Sequence, residues 1–144
     1  MKRPFFILMI LLIFYFSNIF TVSCESNLKN DFIYGIWEGV HNEKNVIYKF
    51  NKGESCEFIY MNSKSDTIEF IQGNFEINFK NNPISLSVKN IPQLNHPLYT
   101  IVNFENSEYI RLANFSPRWK IRPIAFDRKT DIVLKRQKIL KGKI

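Results

Sequence analysis

The chain predicts an all-β fold, an antiparallel up-and-down meander of about eight to ten strands that closes into a barrel after an N-terminal signal segment. Three observations predict it. Short segments alternate apolar and polar residues, turn residues separate them every 8–12 residues or so, and no stretch after the leader has a helical period. A meander of this length protects its edge strands by closing on itself or by forming a sandwich.

The N-terminal segment has the pattern of a signal peptide. Two basic residues precede an apolar run at 5–22, and small residues follow it at the expected cleavage point. The run is nearly long enough to span a bilayer, so an uncleaved signal anchor is the alternative. The limits that we predict are 1–23 for the leader, 24–31 for a polar tether, 32–137 for the barrel and 138–144 for a basic tail.

The stretch Thr21-Val22-Ser23-Cys24 resembles the lipobox of bacterial lipoproteins, with Thr21 in place of the usual leucine. The resemblance implies that Cys24 is lipidated and becomes the new N-terminus, which would hold the chain on a membrane. A disulfide between Cys24 and Cys56, the only other cysteine, is the alternative for an exported chain. We therefore expect a membrane-anchored protein of the bacterial cell envelope, attached through Cys24 or the leader.

The charge distribution and the predicted export together limit the classes of partner that we expect. The net charge is +7, but residues 111–144 hold eleven Lys and Arg against two acidic residues, whereas the rest hold nine against eleven. An exported domain has no supply of ATP or NADH and no nucleic acid to regulate, so we expect no nucleic-acid partner. The basic end predicts either a surface for anionic lipids or polyanions, or a solvated face of charged strands. The residues in question are Arg118, Lys120, Arg122, Arg128 and Lys129.

The predicted strands follow one another without a crossover element. The first places Gly35, which permits close backbone packing, two residues before the large ring of Trp37. Gly73 marks a bulge, a bend or a turn inside a long segment. Pro123 lacks an amide donor and therefore belongs at an edge or a bulge. The segments that we predict as strands are 34–40, 46–50, 56–60, 67–79, 84–89, 98–104, 109–114, 119–126 and 131–136.

One face of the early strands carries an aromatic stripe. It predicts either the lining of a cavity for an apolar ligand or a packed barrel core. The residues of this stripe are Tyr48, Phe50, Phe58, Tyr60, Phe75 and Phe79.

The chain resembles compact bacterial lipocalin-like (calycin-type) lipoproteins. The stretches that carry the resemblance are Gly35-Ile36-Trp37, Tyr48-Lys49-Phe50 with Gly53, Gly73-Asn74-Phe75-Glu76-Ile77, Ile84-Ser85-Leu86, Tyr109-Ile110-Arg111-Leu112 and Ile132-Val133-Leu134-Lys135-Arg136. The resemblance implies a barrel in which an arginine of the last strand covers the tryptophan. Arg136 matches that position, and Arg122 is its rival.

Catalytic chemistry has little support in the sequence. The two histidines, His41 and His96, fall in predicted turns, and a zinc site needs three or four ligands drawn mainly from Cys and His. The sequence has no nucleophile elbow and no glycine-rich phosphate loop. We therefore expect no catalytic residue, metal or cofactor. The predicted function is binding of a small hydrophobic or amphipathic ligand, and the alternative is an envelope protein-interaction module or inhibitor with a filled barrel.

Overall fold

The computed structural model describes residues 31–138, which form a closed antiparallel barrel of eight strands. The strands are β1 (Gly35–His41), β2 (Lys44–Phe50), β3 (Ser55–Met61), β4 (Thr67–Asn78), β5 (Ile84–Lys89), β6 (Leu98–Phe104), β7 (Tyr109–Leu112) and β8 (Ile132–Arg136), and a 3-10 helix (Trp119–Ile121) lies between β7 and β8. Each strand pairs with the next, and β8 pairs with β1. The predicted all-β meander that closes into a barrel is confirmed.

Local turn chemistry joins the strands. Asn42 and Glu43 both have positive φ, 50° and 65°, which is the conformation of a two-residue hairpin turn that matches strand twist. Between β3 and β4, the Asn62 side-chain oxygen accepts the amides of Lys64 and Asp66 at 2.9 and 3.0 Å. The Asn-rich segments that separate the first strands are therefore turns, as predicted.

The longest strand, β4, runs through Gly73 without a turn. Its first part pairs with β3 and its last part with β5, and Gly73 lies close to where the two pairings meet. A Cβ at this position would lie 2.7 Å from the Lys89 carbonyl oxygen, a distance that real Cβ atoms do not adopt. The glycine therefore permits a close backbone approach inside a continuous strand.

The predicted strand at 119–126 is wrong. Trp119–Ile121 forms a 3-10 turn in which the Arg122 amide donates locally to the Trp119 carbonyl at 3.3 Å. Pro117 and Pro123 lack amide donors, so the segment cannot supply a regular ladder to a neighbouring strand. Residues 113–131, the β7–β8 loop hereafter, thus lie between strands, and their basic side chains are not strand exteriors.

The first and last strands meet along a short seam. Three residue pairs join them, from Trp37–Arg136 to Gly39–Leu134. A Cβ on Gly39 would lie 2.5 Å from the Val133 carbonyl oxygen, so this glycine lets the two backbones approach closely. The seam is where the linear meander becomes a barrel without free edges.

The barrel holds a complete core. Within the described residues, the chain from Ile33 onward forms one compact unit, and the buried cluster runs from Ile33 to Leu134. A segment with its own core is what an independently folding domain requires. The predicted leader, Cys24 and the tail beyond Lys138 lie outside the described residues. Between residues 31 and 138, no helix is long and apolar enough to cross a membrane.

Candidate functional site

The predicted aromatic stripe forms a continuous core. Tyr48, Phe50, Phe58 and Phe75 are buried in the hydrophobic cluster, and Tyr60 packs at its edge. The Tyr48 and Phe58 rings stack with centroids 4.2 Å apart, and Phe50 contacts Phe58 at 5.8 Å and Phe75 at 5.0 Å. Rings at these separations are in direct aromatic contact. Of the two alternatives that the sequence predicted for the stripe, a ligand cavity and a packed core, these contacts favour the packed core.

Phe79 is separate from this group. It lies just after β4 and stacks on Phe104 with ring centroids 5.9 Å apart. Both residues are at the barrel end where β1 begins, whereas the Tyr60 ring is towards the opposite end. Phe79 therefore lies apart from the other five residues of the stripe.

Two phenols share a hydrogen bond inside the opposite end of the barrel. The Tyr48 and Tyr60 hydroxyl oxygens are 2.9 Å apart. Burial raises the pKa of Tyr48 well above its ordinary value, and burial also raises the pKa of Tyr60. Both phenols are therefore neutral at physiological pH, and each satisfies the other.

Phe115 completes the aromatic core from a loop. Its ring centroid lies 5.4 Å from that of Phe58 and 6.4 Å from that of Tyr48. Sequence reasoning missed this residue, because a single phenylalanine between Asn114 and Ser116 has no strand periodicity. The β7–β8 loop thus places one side chain inside the barrel and the remainder outside.

Cys56 is a free, buried thiol among the described residues. Burial raises its pKa to about 12, since the thiolate would lose its hydration there. The setting is that of a small core residue, not a reactive nucleophile. Its proposed disulfide partner, Cys24, lies outside the described residues.

We predict that Cys56 resists thiol reagents in the native chain. In a Cys24→Ala variant at pH 8, labelling by a thiolate-specific reagent should be at least about 100-fold slower than in denaturant, because a thiol with a pKa near 12 is almost wholly protonated. The measurement is absorbance-monitored modification with and without guanidinium chloride. Equal rates in the two conditions would contradict the buried position.

Two arginines each cover a tryptophan. The Arg136 guanidinium carbon lies 4.2 Å from the Trp37 ring centroid, and that of Arg122 lies 3.7 Å from the Trp119 centroid. Arg136 also donates to the carbonyls of Tyr34, at 2.6 Å, and Ser107, at 2.9 Å. Burial lowers the pKa of Arg136, but its guanidinium remains charged at neutral pH. The arginine that covers the buried Trp37 is thus Arg136, whereas Arg122 covers the half-exposed Trp119.

The β7–β8 loop carries three large apolar side chains on the surface. Trp119 is 51% exposed, Ile121 63% and Ile124 78%. They lie within six residues of one another, unlike scattered apolar residues that need no explanation. The loop is therefore a concentrated apolar surface outside the barrel.

This loop is fixed to the barrel wall. Ser116 and Tyr99 form an isolated β-bridge with paired hydrogen bonds of 2.8 and 2.9 Å. The Trp119 and Tyr99 rings pack in an edge-to-face arrangement with centroids 5.4 Å apart. The Arg122 guanidinium lies over the Trp119 ring. The exposed apolar groups are thus presented in a defined arrangement on the outside of β6.

The same loop is positively charged. It contains five Lys and Arg residues and two Asp residues, a net charge of +3. Within residues 31–138 none of the five basic side chains forms an ion pair, whereas Lys49, Lys89 and Arg111 each pair with a glutamate. The Arg122 Nη1 atom is buried and finds no hydrogen-bond acceptor in that part of the chain. The loop therefore presents cationic groups that its described neighbours do not neutralise.

Grooves formed by the described residues border the outer wall near this loop and near the loop that follows β5. One of about 270 Å³ runs along the outer faces of β4 and β5 to Tyr99 and Trp119. A second of about 270 Å³ lies between the 81–83 turn and the side chains of Arg122 and Ile124. A third, of about 510 Å³, follows residues 89–97. The first groove places amides and hydroxyls beside Trp119, and the second places the amides of Asn81 and Asn82 beside Ile124.

The two histidines are the usual candidates for metal or acid–base chemistry. His41 is at the end of β1, and His96 is in an exposed loop. Burial, and then the nearby Lys44, lower the pKa of His41. In the stretch that the structure describes, no three His, Cys, Asp or Glu side chains lie close enough together to hold a metal ion.

Comparison of the chain with protein-family models, with curated proteins and with solved structures gives no match. The eight-stranded closed antiparallel barrel is consistent with a lipocalin-like fold, and a fold of that kind supports many functions.

Proposed function

We propose that the protein is an exported, membrane-anchored module of the cell envelope that binds a partner through the outside of its barrel. The observation that carries the proposal is the position of the β7–β8 loop. It seals the core with Phe115 and displays Trp119, Ile121 and Ile124 on the surface. The outer surface of the barrel thus carries neighbouring apolar and cationic side chains that can contact a partner.

The leader sequence supports the proposed export and anchoring. A basic start, an apolar run and a cysteine at the cleavage point are the features of a lipoprotein leader. Catalysis is not part of the proposal. The buried phenols and the buried thiol of the core stay protonated, and each is accounted for by packing.

Site-specific photocrosslinking tests the proposal in cells that make the full chain. A photoreactive phenylalanine analogue replaces Trp119 in one variant and Phe70, an exposed residue of β4, in the control. We expect a discrete adduct from position 119, with protein, lipid or glycan, and none from position 70. Adducts of equal yield at both positions, or none at 119, would count against an outer binding surface at the loop.

A small apolar ligand inside the barrel is the second candidate, and Phe115 is the observation that favours it. This ring comes from a loop, is half-buried and contacts Tyr48 and Phe58. A ligand that replaced it would reach the aromatic core without displacing any strand.

We predict that the chain takes up an apolar probe only after Phe115 is truncated. A fluorescent fatty acid should show no saturable binding to the wild type, and Phe115→Ala should bind it because the substitution empties a space lined by aromatic rings. Phe115→Leu, which retains most of the volume, is the matched control. Saturable binding by the wild type would favour the interior-ligand candidate over the outer-surface proposal.

A further inference from the structure

We infer that the β7–β8 loop is a docking surface for an anionic lipid bilayer and lays the barrel wall against the membrane. The inference rests on the proposed outer-surface function and names its partner. The juxtaposition that carries it lies in one loop fixed to β6. Three exposed apolar side chains lie there beside four exposed cationic side chains that make no ion pair within residues 31–138.

The apolar part has the composition of an interfacial anchor. Tryptophan prefers the headgroup level of a bilayer, where its ring is amphipathic, and isoleucine side chains bury at the boundary of the acyl chains. Ile121 and Ile124 are the more exposed pair, whereas Trp119 is held between Tyr99 and Arg122. The loop thus presents shallowly inserting groups on a supported base.

The cationic part selects the sign of the surface. Arg118, Lys120, Arg128 and Lys129 are exposed, and they make no ion pair within residues 31–138. The two acidic residues of the loop are engaged in its own turn, where Asp127 accepts the Lys129 amide and Asp131 accepts the Asp127 amide, each at 3.0 Å. Each cation near an anionic leaflet strengthens attachment, and the effect weakens with salt.

A bilayer accounts for both halves of this composition. A polyanion in solution would use the cations and leave Ile121 and Ile124 in water. An apolar protein groove would bury the isoleucines and leave several desolvated charges to be paired. A surface with anionic headgroups above an apolar layer matches exposed cations and exposed isoleucines in the same short loop.

The chain offers an internal reporter. It contains two tryptophans, and Trp37 is completely buried whereas Trp119 is half-exposed. A change in the emission spectrum on adding vesicles therefore reports on Trp119.

The experiment uses a chain that begins at Glu25, which retains the complete barrel core and lacks the leader and Cys24. Cooperative unfolding by circular dichroism establishes that each sample is folded. Binding is measured by co-sedimentation and tryptophan emission with phosphatidylcholine vesicles that contain 30% phosphatidylglycerol or none. We expect binding to the anionic vesicles with a blue-shifted emission, at least about tenfold weaker binding to the neutral ones, and loss in high salt.

Two loop variants and two matched controls separate the contributions. Ile121→Ser/Ile124→Ser and Lys120→Glu/Lys129→Glu should each weaken binding about tenfold or more. Ile68→Ser/Val133→Ser and Lys52→Glu/Lys64→Glu make the same changes at exposed positions elsewhere and should leave binding within about twofold. A chain that ends at Lys138 should also bind, because the inference assigns the contact to the loop and not to the basic tail.

Several outcomes would overturn the inference. Wild-type binding by both loop variants would do so, as would complete loss on removing residues 139–144. Sensitivity to the charge variant alone, with equal binding to heparin beads, would assign the loop to a polyanion instead. If vesicles fail while position 119 crosslinks to a protein or glycan in cells, the bilayer inference falls and the outer-surface function stands. Failure of both experiments would remove both.

Discussion

Replacement of Trp37 by alanine is expected to lower the free energy of unfolding by about 3–5 kcal/mol, the range for a large aromatic residue deleted from a core. Trp37 is completely buried. Its indole N–H donates to the Ile33 carbonyl at 2.8 Å, and the Arg136 guanidinium covers the ring. The substitution therefore opens a cavity, leaves a buried acceptor unpaired and removes the partner of a cation. A loss of this size is a large fraction of the stability of a small domain.

Urea denaturation followed by far-ultraviolet circular dichroism measures the change. The matched control is Trp119→Ala, because that ring is half-exposed and should cost no more than about 1 kcal/mol. The loss in free energy of unfolding for Trp37→Phe should lie between those of the two alanine variants, because phenylalanine restores most of the volume but has no N–H donor. Equal losses for the alanine variants at 37 and 119 would contradict the assignment of Trp37 to the core.

Replacement of Arg136 by alanine is expected to cost about 2–4 kcal/mol, because one side chain supplies a cation–π contact and two charge-assisted hydrogen bonds. Its Nη1 donates to the Tyr34 carbonyl and its Nε to the Ser107 carbonyl. These contacts join the entry to β1 with the turn between β6 and β7. Arg136→Lys should recover less than half of the loss, since an ammonium group lacks the planar fork that reaches both carbonyls.

Thermal and urea unfolding of the two variants should be compared with Arg122→Ala. Arg122 covers the exposed Trp119 and should cost less than about 1 kcal/mol on removal, although it makes the shorter ring contact of the two arginines. A larger loss for Arg122→Ala than for Arg136→Ala would contradict the conclusion that the Arg136 contacts at the β1–β8 seam stabilise the barrel.

The parts of the fold that sequence predicts best are those where local pattern and burial agree. In β2 the residues Val46, Tyr48 and Phe50 recur at every second position, and the structure buries all three. The resemblance to lipocalin-like proteins implied Arg136 opposite Trp37, with Arg122 as the rival, and in the structure Trp37 pairs with Arg136.

The remaining features depend on distances that sequence does not contain. An aromatic stripe has the same pattern whether its rings line a cavity or fill it, and the outcome depends on the reach of Tyr48, Phe58 and Phe115 across the barrel. Residues 119–126 alternate in hydrophobicity like a strand, yet prolines on either side of the 3-10 turn remove the amides that a ladder needs. The basic residues there could not be assigned to one surface until that turn was known.

Closure between the first and last strands also constrains the order of folding. Arg136 bonds to Tyr34 across 102 residues of sequence, and the pairs that join β1 to β8 are the most distant in the barrel. Contacts of this range pay the largest loop-closure entropy and form late. A growing chain cannot make them before its final strand has left the ribosome. Until that moment the barrel cannot close, and β1 keeps the free edge that β8 later covers.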